Sequence, residues 1–220
     1  IMPSLVGSEM CIRDRLKINK HEIISWEGKL RPSLEDTGIY PRVENGELPI
    51  WIATGGTPES SLRAGAFGLP ITYAIIGGNP RRFARNIEIY KSIALSYGHD
   101  PSKLPIGVHS WGYVAETDEQ AKREFFPSLK AHQDIIGKER GWPAFDENAF
   151  EREIGSHGAI YLGSPETVAQ KIIDTIETLG INRFMIHTPV GSMPHEYVMN
   201  SIRLFGERVK PIVDKYFEDK

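Results

Sequence analysis

The chain has 220 residues, of which 40% are apolar and 25% are charged, so its composition is that of a globular protein with one sizeable core. Its formal net charge is −3 and its isoelectric point is about 6.2, which argues against the concentrated basic surface of a nucleic-acid-binding protein. The longest apolar runs, such as residues 71–76, are far shorter than the roughly 20 residues that cross a bilayer. We therefore expect neither a nucleic acid nor a membrane as a partner.

Cysteine usage indicates a reducing compartment. The single cysteine, Cys11, cannot form an intrachain disulfide, and one thiol outside a Cys/His cluster does not make a metal site. The sequence therefore predicts a cytoplasmic protein without a bound metal.

The first 15 residues resemble a translated sequencing adaptor, of the kind found at the ends of assembled gene fragments. Charged residues such as Glu9, Arg13 and Asp14 also interrupt the apolar run that a signal peptide would need. Residues 1–15 are therefore expected to be an artefact, and residues 16–220 to be a domain that the chain enters in mid-protein.

The first regular elements are a strand and a helix separated by a glycine-containing loop. Residues 48–53 form a short apolar run typical of a buried strand, and the loop Thr54-Gly55-Gly56-Thr57 follows it. Thr57 is suited to cap a helix and Pro58 to open it, so a helix is predicted to about Ala66.

The same succession of strand, loop and capped helix start then recurs along the chain. Residues 69–76 predict a second strand, after which Asn79 and Pro80 open a helix that Gly98 ends. Residues 106–115 predict a third strand, followed by an acidic helix start at residues 117–119. The apolar stripe of the second helix comprises Phe83, Ile87, Tyr90, Ala94 and Tyr97.

The C-terminal third contains two further helices and one strand. Periodicity weakens from Phe126 to Tyr161, which predicts an insertion of short helices and loops, and Ser164 then caps a helix that Gly180 ends. Residues 183–188 predict a fourth strand, and the last helix is expected to kink near Pro211. The predicted buried stripes are Val168, Ile172, Ile176 and Leu179 for the first helix, and Val198, Ile202, Phe205, Val209, Ile212 and Tyr216 for the last.

Four strand-loop-helix units predict an α/β fold with a parallel sheet. The sheet could be doubly wound or part of a (β/α)8 barrel, and the periodicity alone does not decide between them. A complete barrel typically takes about 250 residues and eight strands, so four units in about 205 residues suggest half of one.

Several residues at the predicted strand ends could contact a ligand. The loop Thr54-Gly55-Gly56-Thr57 precedes a helix start, where free N–H groups favour a phosphate, although such glycines often serve backbone geometry alone. His109 and His187 fall near the same rim. No spaced carboxylate pair or Ser-His-Asp arrangement is recognisable, so hydrolytic chemistry has little support. The aromatic residues are interpreted as core with one or two lining a pocket: Trp51, Tyr73, Trp111 and Tyr113.

Five sequence blocks together resemble the C-terminal half of the bacterial-luciferase-like monooxygenases, over roughly residues 26–217. The blocks are Ala-Thr-Gly-Gly-Thr-Pro-Glu at 53–59, Phe-Gly-Leu-Pro at 67–70, Tyr-Gly-His-Asp at 97–100, Gly-Ser-Pro-Glu-Thr at 163–167 and Leu-Phe-Gly-Glu-Arg-Val-Lys-Pro at 204–211. No single block is specific, but their order and spacing are. The resemblance implies a (β/α)8 TIM barrel, of which this chain carries the fifth to eighth units.

The resemblance also implies a cofactor and places it at the strand-end rim. The family binds reduced flavin, usually FMN, and the matching loop holds the flavin phosphate, here Ala53, Thr54, Gly55, Gly56 and Thr57. Ser60 and Ser61 are expected to assist from the first helical turn. The wall beside the isoalloxazine ring matches Ala74, Ile75, Ile76 and Gly77.

The implied reaction inserts one oxygen atom of O2 into a small organic substrate through a C4a-peroxyflavin, so the cofactor performs the chemistry. A separate flavin reductase would supply the reduced FMN, and the full-length protein is expected to be a homodimer. The catalytic residues are unknown, because in the family they come mainly from the first four units. A half-barrel would expose strand edges and apolar surface, so weak or no activity is expected from this chain itself.

Three alternatives remain open. A deazaflavin (F420)-dependent reductase or dehydrogenase shares this barrel and would carry a basic pocket for the cofactor tail. A non-catalytic flavin-binding protein would use the same residues without turnover. An unrelated phosphate-binding α/β enzyme ranks last, because it would require catalytic carboxylates or a lysine at the strand ends.

Overall fold

The structure is a computed structural model that describes residues 3–29, 32–44 and 46–220, with side chains from residue 11 onward. The described residues form two compact units, one up to Trp51 and one from Ile52 to Lys220. Residues 1 and 2 of the predicted adaptor segment lie outside the described residues. Helix α1, Pro3–Lys20, runs without a break through the predicted boundary at residue 16, and that boundary stays a prediction.

The first unit consists of α1 and an antiparallel hairpin of β1, Ile23–Trp26, and β2, Leu34–Gly38. The carbonyl groups at the end of α1 accept hydrogen bonds from the backbone N–H of His21 and from a side chain. The Arg42 guanidinium donates to the carbonyl oxygens of Ile18 at 2.8 Å and Asn19 at 2.7 Å. A cation at the carboxyl end of a helix is favourable, because the helix dipole is negative there.

The second unit is built on a parallel sheet of five strands: β3, Ile52–Thr54; β4, Ile71–Ala74; β5, Ile106–Val114; β6, Tyr161–Gly163; and β7, Arg183–His187. Strand β4 lies between β3 and β5. The nine-residue β5 pairs with β7 over Gly107–Trp111 and with β6 over Gly112–Val114. The predicted α/β class with a parallel sheet is therefore confirmed.

The helices of this unit are α2, Pro58–Phe67; α3, Ala84–Ser96, after a 3₁₀ turn at Pro80–Phe83; α4, Asp118–Arg140; α5, Glu147–Ile154; α6, Pro165–Leu179; α7, His195–Leu204; and α8, Lys210–Glu218. The helix starts predicted after Thr57, Asn79, Thr117 and Ser164 are confirmed. Asn79 and Ser164 cap their helices through their side chains, accepting from the N–H groups of Arg81 and Thr167. Within the described part of the chain, no helix combines the length and apolarity needed to span a membrane.

The two faces of the sheet have different surroundings. One face packs against helices and contributes Ile71, Tyr73, Ile106 and Val108 to a buried core with Ile87 and Tyr90 of α3. Strand register places a second set of side chains on the opposite face, because residues alternate sides along a strand. This inner face carries Ala53, Thr72, Ala74, His109, Trp111, Met185 and His187.

The region predicted as short helices and loops begins inside a long helix, so that prediction is wrong up to Arg140 and correct for the residues after it. Helix α4 continues for 23 residues through Pro127, and only α5 is short. Its buried positions, Ala121, Phe125 and Leu129, recur every four residues. Their spacing indicates a helix, but the many charged residues between them obscured the stripe. The three-residue strand β6 also escaped prediction.

The apolar stripe of the last helix is only partly correct. A π-helical segment, Phe205–Val209, separates α7 from α8 just before Pro211, which confirms the predicted break. Ser201 and Leu204 are buried while Ile202 is 53% exposed, so the buried face of α7 lies one residue before the predicted one. The five-residue step across the π turn then brings the predicted Val209 onto the same face. Similarly, Tyr97 is 65% exposed because α3 ends before it.

Candidate functional site

A cavity of about 600 Å³ opens at the carboxyl ends of β3, β4 and β5, in the second unit. This is the edge of a parallel α/β sheet where ligands bind. The sequence predicted four of its lining residues, namely Gly55, Ala74, Ile76 and Gly77. The others are Arg82, Phe83, Trp111, His132, Gln133, Ile136, Arg140, Trp142, Phe145, Glu153 and Ile160.

The predicted phosphate loop is held in a defined shape. The buried Thr54 hydroxyl accepts from the Gly56 N–H at 3.1 Å, and the Asn86 side chain donates to the Gly56 carbonyl at 2.6 Å. Gly56 has φ of 103°, and a Cβ there would lie 2.5 Å from the Phe83 ring. Only glycine fits at this position, because both the backbone conformation and the space forbid a side chain.

Gly55 differs from its neighbour, because a Cβ there would meet no atom within 4 Å. The N–H groups of Gly55 and Thr57 donate no hydrogen bond to any residue that the structure describes. They lie just before helix α2, where N–H donors and the helix dipole favour an anion. The Thr57 hydroxyl pairs with Ser60 at 2.8 Å and caps no backbone N–H of the helix. Ala53 lies exposed at the start of this loop.

A buried hydrogen-bond network supports the loop from behind. The Tyr73 hydroxyl contacts Ser61 at 2.8 Å and donates to the Asn86 carbonyl at 3.2 Å. Burial raises the pKa of Tyr73 to about 12, although the Ser61 hydroxyl opposes the shift, so Tyr73 stays a neutral donor. Ser61 is fully buried in this network, and the expectation that it assists the phosphate from α2 is therefore wrong.

The Asn86 amide lets us test this support. Replacing Asn86 with alanine leaves the Gly56 carbonyl without its donor, so we expect a loss of about 1 to 2 kcal/mol in the free energy of unfolding. Urea unfolding would measure the loss. Gln170→Ala, which removes an exposed amide on α6, is the matched control and should change stability by less than about 0.5 kcal/mol. Equal stability of the two variants would contradict the proposed support.

The segment predicted as the wall beside a flavin ring divides into two parts. Ala74, Ile76 and Gly77 line the cavity, and Ile76 is 55% exposed. Ile75 points the other way and is fully buried in the core, while its carbonyl accepts from the Ser110 hydroxyl at 2.9 Å. The Ile75 side chain therefore does not line the cavity, because strand alternation turns it to the opposite face.

An aromatic cluster continues the inner face of the sheet. The ring of His187 lies 5.4 Å from that of His109 and 4.6 Å from that of Trp111. Trp111 also lies 5.7 Å from His132, and both line the cavity. Burial lowers the pKa of His109, and the neighbouring His187 lowers it further. The structure thus brings together the two histidines that the sequence placed at the rim.

The far wall of the cavity was missed by the sequence reasoning. Helix α4 contributes His132, Ile136 and Arg140, which are four residues apart and so share one face. Trp142 and Phe145 follow in the next loop, and the Arg140 guanidinium lies 5.3 Å from the centre of the Trp142 ring. The four-residue spacing was available as a signal once the region was recognised as helical.

The charges at the cavity favour an anionic ligand group. Arg82 and Arg140 line it, and Arg82 donates to the Gly77 carbonyl at 3.3 Å. The carboxylate of Glu153 lies on the same wall but accepts hydrogen bonds from the backbone. No group of three or more metal-ligating side chains occurs among the residues that the structure describes.

A second cavity of about 650 Å³ lies elsewhere in the unit, between α6, α8 and the start of β7. Its walls are mainly aliphatic and aromatic, including Ile172, Phe184 and Phe217, and it contains none of the predicted site residues. It also lies at the amino end of β7, away from the strand ends that bind ligands in such sheets. The first cavity is therefore the candidate site.

Comparison with known proteins gives a sequence relationship. A profile of the luciferase-like monooxygenases matches residues 12–183. The chain is also similar to the alkanal monooxygenase alpha chain of Aliivibrio fischeri, with 24% identity over 200 residues. That match covers 80% of this chain and 54% of the relative, so the chain spans about half the length of the curated relative it matches.

Solved structures share the fold. The monooxygenase RslO1 from Streptomyces bottropensis superposes with a TM-score of 0.74 at 22% identity, covering 93% of this chain and 60% of that chain. The oxygenating constituent of 3,6-diketocamphane monooxygenase from Pseudomonas putida, solved in complex with FMN, gives 0.61 at 20% identity, covering 89% and 59%. The coenzyme F420-dependent tetrahydromethanopterin reductase of Methanopyrus kandleri gives 0.61 at 15% identity, covering 92% and 63%.

These matches decide between the two sheet architectures that the periodicity left open. The βα units of this chain are those of the luciferase-like TIM barrels, of which it covers about 60%. Because the family profile extends over most of the sequence, the chain belongs to the luciferase-like monooxygenase family.

Proposed function

We propose that the chain binds FMN in the cavity at the strand ends. We further propose that it is part of an FMN-dependent monooxygenase that transfers one oxygen atom from O2 to a small organic substrate. The observation that carries this proposal is the cavity itself. It lies between a glycine loop suited to a phosphate and the Ala74–Gly77 segment suited to a flat ring. Family membership supports the monooxygenase class, and the activity of the whole protein is part of the proposal.

The residues present fit FMN in shape and charge. The open space at Gly55 and the adjacent N–H groups would accept the phosphate, and Arg82 would neutralise part of its charge. The volume of about 600 Å³ falls within the range of typical cofactor sites. Ala74 and Gly77 present almost no side chain, so a flat ring could lie against the backbone of β4.

The chain contributes binding and shielding rather than proton transfer. Reduced FMN, when bound, supplies the electrons that activate O2. Trp111, Phe145 and Ile160 provide apolar walls that exclude water from the reacting groups. Burial and the neighbouring His187 lower the pKa of His109, which favours the uncharged form of this imidazole on the inner face of the sheet.

Titration with FMN and riboflavin tests the proposal. We expect the chain to bind FMN with Kd of about 1 μM or tighter, which corresponds to roughly 8 kcal/mol, measured by quenching of flavin fluorescence. Riboflavin lacks the phosphate and should bind at least about tenfold more weakly, because the glycine loop and Arg82 then have no anion to hold. A longer product of the same gene, if one exists, would be tested for O2 uptake with reduced FMN.

The other outcomes discriminate between alternatives. Tight binding of F420 with no binding of FMN would replace the proposal with an F420-dependent oxidoreductase. FMN binding without O2-dependent product, in a protein supplied with reduced FMN by a reductase, would favour a non-catalytic flavin-binding protein. Equal affinity for FMN and riboflavin would refute the phosphate loop.

A further inference from the structure

One carboxylate on the cavity wall accepts hydrogen bonds from two backbone N–H groups. Both carboxylate oxygens of Glu153, near the end of α5, lie 3.1 Å from the Gly78 backbone nitrogen, and one also accepts from the Ala159 N–H at 3.3 Å. Gly78 belongs to the loop after β4 and directly follows Gly77, which lines the cavity. Glu153 therefore ties this loop to a helix 75 residues further along the chain.

The end of α5 is itself anchored by a lysine from another helix. Lys171 of α6 is mostly buried, and its ammonium group donates to the carbonyl oxygens of Ile154 at 3.0 Å, Gly155 at 2.6 Å and Ile160 at 2.7 Å. Three acceptors match the three N–H donors of a lysine. A cation at the carboxyl end of α5 is also favoured by the helix dipole.

The loop between α5 and β6 closes tightly around this arrangement. The Ile160 N–H donates to the Glu153 carbonyl at 2.9 Å, and a Cβ at Gly158 would overlap that carbonyl. The Tyr161 ring lies 5.1 Å from the Lys171 ammonium group. Glu153 and Lys171 contact adjacent residues of this turn, through the Ala159 N–H and the Ile160 carbonyl, so a shift of one is expected to move the other.

We propose that Glu153 and Lys171 are positioning residues that hold the Gly77–Gly78 loop in the conformation required to bind the cofactor. Lys171 fixes the carboxyl end of α5, and Glu153 transmits that position to the backbone of the cavity wall. The proposal rests on the proposed function, because the loop that is held is the proposed ring-binding wall. The hydrogen bonds themselves can be tested without any cofactor.

The first experiment measures backbone amide exchange by NMR in the flavin-free protein. In Glu153→Ala, we expect exchange at Gly78 and Ala159 to accelerate at least about tenfold, because a hydrogen bond to a charged acceptor is lost. Glu151→Gln is the matched control, since it removes a carboxylate that pairs with Lys122 on the exposed side of the same helix. Unchanged exchange at Gly78 in Glu153→Ala would overturn the proposal, whether or not FMN binds.

The second experiment measures FMN affinity and the visible absorption of the bound flavin. We expect Glu153→Ala to weaken FMN binding about tenfold and to shift the absorption band, because the wall beside the ring moves. Glu153→Gln keeps an oxygen acceptor for the Gly78 N–H and should recover most of the affinity. Lys171→Met should accelerate exchange at Gly78 as well, although it contacts neither Gly78 nor the cavity.

The outcomes separate the two proposals. Absence of FMN binding in the wild type would remove the proposed function, while fast Gly78 exchange in Glu153→Ala would still support the hydrogen bonds. If Glu153→Ala does not fold, Lys171→Met carries the test, and Glu153→Gln is the variant expected to behave like the wild type. Glu153→Ala could also exchange faster at Gly78 and still match the wild type in FMN affinity and flavin absorption. That result would overturn the positioning role, because the loop would then be held for another purpose.

Discussion

Replacing Gly55 with leucine is expected to weaken FMN binding by about 100-fold while the thermal midpoint of unfolding stays within about 2 °C of the wild type. A Cβ at Gly55 meets nothing within 4 Å, so the larger side chain enters open space at the cavity instead of disturbing the core. It would occupy the volume proposed for the phosphate. A 100-fold change corresponds to about 2.7 kcal/mol, the size expected when charge-assisted hydrogen bonds are lost.

Gly206→Leu is the matched control, because a Cβ at Gly206 also meets nothing within 4 Å and lies on the last helical region, away from the cavity. It should leave FMN affinity unchanged. Fluorescence titration and thermal unfolding of both variants are the measurements. If Gly55→Leu binds FMN as tightly as the wild type, the phosphate does not lie at this loop. Gly56→Leu would be less informative, because clash with Phe83 would destabilise the fold itself.

Lys171 is expected to make the stability of the protein rise with pH above about 8, relative to Lys171→Met. Burial lowers the pKa of Lys171 to about 8, and the nearby Glu153 only partly opposes this shift. Between this value and the ordinary lysine pKa near 10.4, the unfolded chain therefore binds a proton that the folded chain does not. The free energy of unfolding then increases with pH, by at most about 3 kcal/mol across the window.

Urea unfolding at pH 7, 8, 9 and 10 would measure this difference. Other groups around Lys171 are common to both proteins and cancel in the comparison; they include Glu153, His157, Tyr161, Asp174, Glu177 and Arg81. Lys122→Met, at an exposed lysine paired with Glu151, should follow the wild-type profile. A constant difference between the wild type and Lys171→Met from pH 7 to 10 would mean that the buried amine keeps its proton throughout.

The fold class and most of the strand–helix order of the second unit could be predicted from the sequence, because both follow from local chemistry. Strand β6 and the elements of the first unit were not predicted. Cap residues such as Asn79 and Ser164 act within one helical turn and are found where predicted. The buried stripe of α6 likewise depends only on 3.6-residue periodicity, and Val168, Ile172 and Leu179 are buried as expected. In α4, where polar residues outnumber apolar ones, the cap chemistry predicted the start of the helix, but periodicity did not predict how far it continues.

The positions of the loops at the strand ends could also be predicted from local sequence order, but the residues that contact these loops could not. Gly55 and Gly77 follow strands in a parallel sheet, so sequence order alone places them at one edge. The sequence also determined the family, through the order of its blocks, and tertiary structure decided what surrounds the loops. Glu153 reaches the cavity wall from α5, and Lys171 of α6 anchors the end of α5. Their roles depend on hydrogen bonds across 75 and 11 to 17 residues of chain. Such contacts leave no local pattern, because the residues meet only when the helices pack.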